Sequence, residues 1–193
     1  MKKVFNENKI VLMDVKINHP HLREPWGYND SPKKYSAQII IDKDDTDNLN
    51  KVNKAIDSAI EKANFIYDEK IPDSNALSLP LKDSDEKYGY EPMYYNSYYM
   101  TATSTIMPEI VDHNKKVNYG LNDIVSGQYV NISMSFYAFK AGDGKKVVAC
   151  RLHNVQMLPK KFDPTEYYPK ATDDFEIVSD NESYSAENTD NKE

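Results

Sequence analysis

Residues 125–158 read VSGQYVNISMSFYAFKAGDGKKVVACRLHNVQML, and they form the most regular pattern in the chain. In each half of this stretch, apolar residues recur at every second position, which is typical of a β-strand with one buried face. The Gly-rich tetrapeptide at 141–144 separates the two halves and predicts a tight turn. The stretch therefore predicts a long β-hairpin. Its expected buried residues are Val130, Ile132, Met134, Phe136, Ala138, Val148, Cys150 and Leu152.

Three shorter stretches upstream predict three further strands, over residues 9–17, 33–42 and 97–104. Between the second and the third of these, residues 46–66 carry apolar side chains at spacings of three and four, which predicts an amphipathic helix. Thr46 is the expected N-cap of this helix. The side chains expected on the buried face of the first strand are Val11, Met13, Val15 and Ile17.

The remaining segments of the body are predicted as connections. Residues 18–32 are rich in turn-forming residues and predict a long loop. Residues 67–96 are polar, contain three prolines and predict an extended insertion.

Five strands with one helix between the second and third predict an all-β fold, a five-stranded OB-type barrel. An immunoglobulin-like sandwich needs about seven strands and is the alternative. We expect the barrel domain to span 1–172, with the insertion at about 67–96. Residues 173–193 have little apolar content and predict a disordered acidic tail.

The charge of the chain is concentrated at its C-terminal end. The net charge is −7, and residues 173–193 account for all of it, with eight acids and one base. The body, residues 1–172, is neutral. A neutral body can still present a basic stripe on one face, so the acidic composition does not exclude nucleic acid as a partner.

Cysteine content and hydropathy exclude other classes of protein. Cys150 is the only cysteine, which excludes an intrachain disulfide and a cysteine-based zinc cluster. The sequence shows neither a signal-peptide pattern nor the run of about 18 apolar residues that a membrane span needs. We therefore expect a soluble, cytoplasmic protein.

The segment YGYEPMYYNSYY, residues 88–99, holds six of the 15 tyrosines of the chain. Aromatic rings that stack on the bases of a single strand contribute about 1–3 kcal/mol each, beside basic groups that follow the backbone. We predict that Tyr94, Tyr95 and Tyr99 contact DNA in this way. The alternative is that these rings seal one end of the barrel.

Two further groups combine aromatic and basic side chains at strand ends, as expected for stacking and phosphate contact. The first group contains Trp26, Tyr28, Lys33, Lys34 and Tyr35, and the second contains Tyr137, Lys140, Lys145, Lys146, Arg151 and His153. The alternative for both groups is a solvated strand edge with solubilising charge.

Signatures of an enzyme are weak. His19 and His21 form an H-x-H pair, but no acidic or cysteine partner follows at a familiar zinc spacing. The acids at 42–47 lack the glycine and terminal glutamate of an EF-hand loop. The sequence contains no phosphate-binding Gly-rich loop and no nucleophile elbow. We therefore predict no catalytic residue, no cofactor and no metal.

Several separated blocks of the sequence, in the right order, resemble the single-stranded-DNA-binding, or helix-destabilising, proteins of tailed phages. The blocks are KKYSAQIIIDKDD (33–45), LPLKDSDEK (79–87), SYYMTATSTIMPEIVD (97–112), the stretch at 125–158, and DDF (173–175). The resemblance covers about residues 9–175.

The resemblance implies an OB fold that binds single strands with little sequence preference and has no catalytic activity. It further implies a role in phage DNA replication, recombination and repair in the host cytoplasm, and a possible homodimer. It also implies that the acidic tail competes with DNA and contacts replication proteins. The tail residues expected to matter are Asp173, Asp174, Phe175, Glu176 and Tyr184. The alternative function is a noncatalytic β-sandwich interaction or virion protein that binds protein or glycan through the Tyr-rich loop.

Overall fold

The computed structural model describes residues 9–29, 31–67, 77–117, 124–164 and 170–177. It divides the chain into two compact units, Met1–Asp163 and Pro164–Glu193, which are described separately. The strands are β1 (Lys9–Trp26), β2 (Lys34–Asp42), β3 (Leu77–Ser78), β4 (Lys82–Asp83), β5 (Ser97–Ser104), β6 (Glu109–Val111), β7 (Gln128–Lys140) and β8 (Lys146–Lys161). The helices are α1 (Thr46–Tyr67), α2 (Asp85–Tyr88) and α3 (Ala171–Asp174), with a 3₁₀ turn at Pro92–Tyr94.

The five long strands of the first unit close into a barrel. β1 pairs antiparallel with both β2 and β7, and β2 pairs with β5. β5 runs parallel to β8, and β8 returns to β7 as the predicted hairpin. Helix α1 connects β2 to β5, so the predicted OB-type barrel with a helix between its second and third strands is confirmed. The sandwich alternative is wrong.

The barrel interior is filled by one set of alternating side chains from each strand. In β7 and β8 these are the residues that the sequence predicts: Val130, Ile132 and Met134 are fully buried, and Leu152 is 1% exposed. Cys150 lies among them, and burial raises the pKa of its thiol to about 12. Its role is therefore packing, since a buried thiol is not ionised at neutral pH.

A β-bulge in β1 changes which side chains are buried. Asp14 adopts a left-handed backbone conformation with φ 52°, and the pairing register of β1 with β7 shifts between Leu12 and Val15. Before the bulge, Leu12 is buried, while Val11 and Met13 are 45% and 49% exposed. The prediction that Val11 and Met13 share a buried face with the residues after the bulge is therefore wrong. The inserted residue reverses the alternation.

Asn48, near the start of α1, satisfies the backbone at this bulge. Its side-chain amide donates to the carbonyl of Met13 at 2.7 Å and accepts the Met13 N–H at 3.2 Å. The N–H of Asn48 itself donates to a carboxylate oxygen of Asp45 at 3.1 Å. This is the contact of an N-cap with the third helical residue, so Asp45 rather than Thr46 caps α1.

β1 also continues past its predicted end. Residues 18–26, predicted as part of a loop, belong to the strand and pair with β2 as far as Trp26 opposite Lys34. A second positive φ, 45° at His19, marks the register shift that lets the strand bend here. The β1–β2 hairpin therefore projects further than the sequence pattern predicts.

Candidate nucleic-acid interface

Side chains that point away from the barrel interior form a continuous band across the five barrel strands. Directly paired residues lie on the same face of a sheet. Thr103 of β5 is paired with Ser36 of β2 on one side and with Arg151 of β8 on the other. Trp26 of β1 is paired with Lys34. We call this band the outer face. Its residues are His21, Trp26, Lys34, Ser36, Gln38, Thr101, Thr103, Ser135, Tyr137 and Arg151.

Two hairpins flank the outer face, β1–β2 on one side and β7–β8 on the other. In OB folds, the face of the second and third strands and the two corresponding loops bind oligonucleotides and oligosaccharides. Here these parts are β2, β5 and the two hairpins. The structure thus brings together the two strand-end groups that the sequence singles out separately.

The β1–β2 hairpin carries three neighbouring aromatic side chains, His21, Trp26 and Tyr28, which we call the Trp26 shelf. The ring of Trp26 is 53% exposed and stacks on His21, with 5.2 Å between ring centroids and 14° between planes. Tyr28, 68% exposed, is tilted against Trp26 at 6.4 Å. Lys33 and Lys34 are both exposed. The Trp26 shelf therefore combines exposed ring surface with positive charge, because Lys34 is the residue paired with Trp26.

The β7–β8 hairpin carries a second aromatic pair. Tyr137 and Phe139 stack with 5.7 Å between centroids and 26° between planes, and each is 38% exposed. The guanidinium carbon of Arg151 lies 5.4 Å from the centroid of the Tyr137 ring. Such a cation–π contact positions the charge of Arg151 directly beside the aromatic surface.

The lysines of this hairpin lie at and around its tip. Lys140 is exposed and pairs in register with the half-buried Lys146. Lys145 forms an exposed ion pair with Asp143 at 3.1 Å, an interaction that contributes little in water. Because this pair is weak, it does not prevent Lys145 from contacting another anion.

His153 lies beside the outer face but supplies little charge there. One ring nitrogen is 2.8 Å from the hydroxyl of Ser135. Burial lowers the pKa of His153 below its ordinary value, and the nearby charges of Lys9 and Arg151 lower it further. The imidazole is therefore neutral at pH 7, and any contact with a phosphate is that of a neutral hydrogen-bonding group.

Two of the predicted DNA-contacting tyrosines are not placed for stacking. Tyr94 is completely buried, so its predicted contact with a base is wrong. Its hydroxyl accepts a hydrogen bond from the side chain of Asn18 at 2.6 Å and donates to that of Gln38, and burial raises its pKa to about 12. Tyr35 is half-buried and alternates with Lys34, which places it on the interior side of β2, away from the outer face.

The other tyrosines of the 88–99 segment divide between surface and packing. Tyr95 is 63% exposed. Tyr99 is half-buried and meets Tyr88 edge-on, with 5.2 Å between centroids. Tyr88 in turn stacks on Tyr94 at 4.2 Å with 16° between planes. We call Tyr88, Tyr94 and Tyr99 the tyrosine cluster. Tyr94 is thus a packing residue, and the alternative that some of these rings seal one end of the barrel stays a prediction.

Sequence reasoning missed His21, Phe139 and Tyr88 as residues beside or within this surface. Phe139 follows Tyr137 by two residues, so the period of a β-strand was sufficient to place both rings on the same face. His21 gave no such signal, because residues 18–32 predict a loop. Tyr88 gave none either, because nothing in a Tyr-rich stretch indicates which ring packs on which.

In the second unit, the described residues end at Ile177. Helix α3 contains Asp174, and Phe175 and Ile177 after it are 77% and 99% exposed. Glu176 is also exposed. Tyr184 and the side chain of Asp173, both predicted to contact partners, lie outside the described residues.

The described residues include no group of three or more His, Cys, Asp or Glu side chains placed to hold a metal ion. None of their helices has the length and apolar character needed to cross a membrane.

The fold and this surface define an OB-type barrel with aromatic and basic side chains on its outer face. The family model described as the ssDNA-binding protein of Enterobacter phage Enc34 matches residues 8–187. The chain therefore belongs to the Enc34 ssDNA-binding protein family, and the resemblance to phage single-stranded-DNA-binding proteins is confirmed. No curated protein sequence matches the chain.

Solved structures share the fold at low sequence identity. The single-stranded DNA-binding protein of bacteriophage Enc34 in complex with ssDNA is 21% identical, with a TM-score of 0.66 over 81% of this chain and 88% of that one. Another structure of the Enc34 protein is 19% identical, with a TM-score of 0.63 over 88% and 90%. The single-stranded DNA-binding protein encoded by bacteriophage T7 is 13% identical, with a TM-score of 0.58 over 84% and 97%.

Proposed function

We propose that this chain binds single-stranded DNA on its outer face, with little preference among the four bases. The observation that carries the proposal is the pairing of exposed rings with cations on both flanking hairpins. Trp26 is paired with Lys34, and Tyr137 lies beside Arg151. Membership of the Enc34 family and the relative solved with ssDNA support it.

The expected absence of base preference follows from the kind of contact. Every base has a flat face, so stacking on Trp26, Tyr28 or Tyr137 is tolerant of sequence, at about 1–3 kcal/mol per base. Lysine and arginine neutralise backbone phosphates, which are the same at each nucleotide. Bidentate base-edge readout, which would give strong specificity, is not needed for this mode of binding.

The biological role that we propose is DNA replication, recombination and repair of a phage in the host cytoplasm. The chain acts there as a binding protein rather than as an enzyme, and it forms a homodimer. The support for a phage role is its family, whose model describes a phage ssDNA-binding protein.

We propose a separate role for the acidic tail, residues 173–193. Its eight acids give it the sign of a DNA backbone, so it competes with DNA for the cations of the outer face. Phage replication or recombination proteins are its proposed partners. Phe175, which is 77% exposed in a run of acids, and Tyr184 are the proposed anchors for them.

A fluorescence titration tests the DNA-binding proposal directly, because Trp26 is the only tryptophan. Unlabelled oligo-dT is added to the full chain at two salt concentrations, and duplex DNA is added in parallel. We expect Trp26 emission to change with oligo-dT and the affinity to fall steeply with salt, by about 0.7 in log–log slope for each phosphate neutralised on a single strand. Equal affinity for duplex and single strand would contradict the proposal.

A matched pair of charge variants locates the surface. Lys34→Gln removes one cation from the outer face, and Lys54→Gln removes one from the exposed side of α1, whose other side packs on the core. We expect Lys34→Gln to reduce the salt slope by about 0.7, whereas Lys54→Gln leaves it unchanged. Equal effects of the two variants would show that binding is not confined to the outer face.

A further inference from the structure

The tyrosine cluster lies on the same side of the barrel as the outer face. It is further along β2 from Lys34 than the middle of that face. The hydroxyl of Tyr94 donates to Gln38, a residue of the outer face. Tyr99 is paired with Ile40, two residues further along β2. Gln38 is four residues from Lys34, the partner of Trp26, which is about 13 Å along a strand. The cluster and the Trp26 shelf are therefore two separate aromatic surfaces on one side of the molecule.

The segment that carries Tyr88 is anchored at several points. Lys43, just after β2, forms ion pairs with Asp83 at 2.9 Å and Asp85 at 2.6 Å. The hydroxyl of the buried Ser84 donates to the carbonyl of Tyr94 at 2.7 Å. Because α2 is tied to the barrel in this way, Tyr88 is held in place without a ligand, which lowers the entropic cost of binding one.

Tyr88 also has the surroundings of a stacking residue. One face of its ring is against Tyr94, and the ring is only half-buried. The ammonium of the exposed Lys87 lies over this ring, 4.8 Å from its centroid, so a base that stacks on Tyr88 displaces it toward the backbone phosphate. An anchored ring with an exposed cation beside it is the combination that holds a base together with its phosphate.

Level with Tyr99, β1 contributes a buried cation to this side of the barrel. Lys16, opposite Ile40, is 2% exposed, bonded to Asp42 at 2.6 Å and covered by the ring of Phe162. We infer that Tyr88, with Lys87, is a second base-stacking position for single-stranded DNA. It lies at the opposite end, from Trp26, of the path that the DNA takes across this side of the barrel. This inference rests on the proposed function.

A length series of oligo-dT separates the two positions. The full chain and its variants are titrated with oligomers from about 4 to about 16 nucleotides, the range of site sizes known for OB folds, with Trp26 emission reporting occupancy of the β1–β2 hairpin. We expect Tyr88→Ala to weaken binding of the longer oligomers about 5- to 150-fold. It should leave the shortest oligomers that still change Trp26 emission unaffected. Tyr88→Phe keeps the ring and should bind as the original chain does.

Two more variants control for a purely structural role. Tyr90→Ala removes a fully exposed tyrosine two residues away and should change nothing. Lys87→Ala leaves the cluster intact and should reduce the salt slope for long oligomers only, by about 0.7. Equal weakening by Tyr88→Ala at every length, or none at any length while Trp26 responds, overturns the inference, as does an unchanged salt slope in Lys87→Ala. Failure of every oligomer to bind the original chain would instead overturn the proposed function.

Discussion

Trp26 and Tyr94 are aromatic residues on one side of the barrel that differ in exposure and therefore in role. Trp26 is half-exposed, stacked on His21 and tilted against Tyr28, so much of its ring area remains available to a base. Tyr94 is buried and bonded at its hydroxyl on both sides, so its ring area is already used. Substitutions at the two positions should therefore separate binding from stability.

Trp26→Ala tests the exposed role. We expect single-stranded DNA to bind about 1–3 kcal/mol more weakly because one base loses its stacking partner. Fluorescence anisotropy of a labelled oligo-dT measures this, since the variant has no tryptophan. The loss of stability should stay below the roughly 3–5 kcal/mol that truncation of a buried aromatic residue costs, because Trp26 is 53% exposed. Trp26→Phe is the control and should recover part of the affinity; a large fall in melting temperature with normal binding would show that Trp26 is a packing residue.

We expect His153 to make the stability of the barrel depend on pH. Its pKa is lowered from 6.5 in the folded chain, chiefly by burial. The unfolded chain therefore takes up this proton more readily. The contribution of His153 to the unfolding free energy is present well above pH 6.5 and is lost as the pH falls below 6.5. We expect His153→Gln to show a smaller loss of unfolding free energy than the original chain between about pH 7 and about pH 5. Urea unfolding at each pH measures the difference.

The control for this experiment is His113→Gln, which replaces an exposed histidine elsewhere in the barrel unit. It should leave the pH dependence as it is. An identical pH dependence of the His153→Gln variant and the original chain would show that the burial of this imidazole has no energetic consequence.

Among the elements, helix α1 contributes one side chain, Asn48, that bonds the backbone at the bulge in β1. Asn48 is 4% exposed and satisfies both the N–H and the carbonyl of Met13. Asn48→Ala leaves these groups without that partner, and we expect a loss of about 1–3 kcal/mol in unfolding free energy. Denaturant unfolding measures it. Asn53→Ala, at an exposed position of the same helix, should stay within about 0.5 kcal/mol; equal effects would show that the bulge does not need Asn48.

The contrast between β7–β8 and β1 explains how far the sequence predicts this fold. From Val130 to Phe136 the interior side chains of β7 follow a strict period of two, so periodicity alone was sufficient. In β1, positive φ values at Asp14 and His19 reset the register. Both depend on contacts with distant residues, Asn131 and Ser126. A local pattern contains no information about such partners.

The same reasoning applies to the site. The basic and aromatic groups at 26–35 and 137–153 were recognisable because each is contiguous in sequence. Their meeting on one face requires β5 to pair with both β2 and β8, which only the closed barrel provides. The error at Tyr94 arose because two hydrogen bonds to Asn18 and Gln38, far away in sequence, decide that this ring is buried.

For the molecule as a whole, the charge is separated between the body and the tail. The body is neutral and presents cations on its outer face, while the tail carries the full net charge of −7. A tethered polyanion has an effective concentration in the millimolar range near the body. This effective concentration is the basis of the proposed competition between the tail and DNA.

Deletion of residues 173–193 should tighten the binding of a poly-dT oligomer at low salt, because the competitor is removed. The gain should shrink at high salt, since screening weakens tail and DNA contacts alike. Dissociation constants of the full chain and of residues 1–172 at two salt concentrations measure this. A tail with its acids replaced by Asn and Gln is the control for length and should behave as the deletion does. Unchanged or weaker binding after deletion would show that the tail does not compete with DNA.

The way β1 is shared between two partners has a consequence for synthesis. Its first partner, β2, follows directly, but its second, β7, is encoded far downstream, with Leu12 opposite Ile132. A ribosome adds about 5–20 residues per second, so the nascent chain spends several seconds with one edge of β1 unpaired. Contacts that are so distant in sequence also slow the folding of β-rich domains, to milliseconds or seconds. Closure of the barrel is therefore a late event that occurs only after β7 and β8 have left the ribosome. The outer face is assembled only at that point.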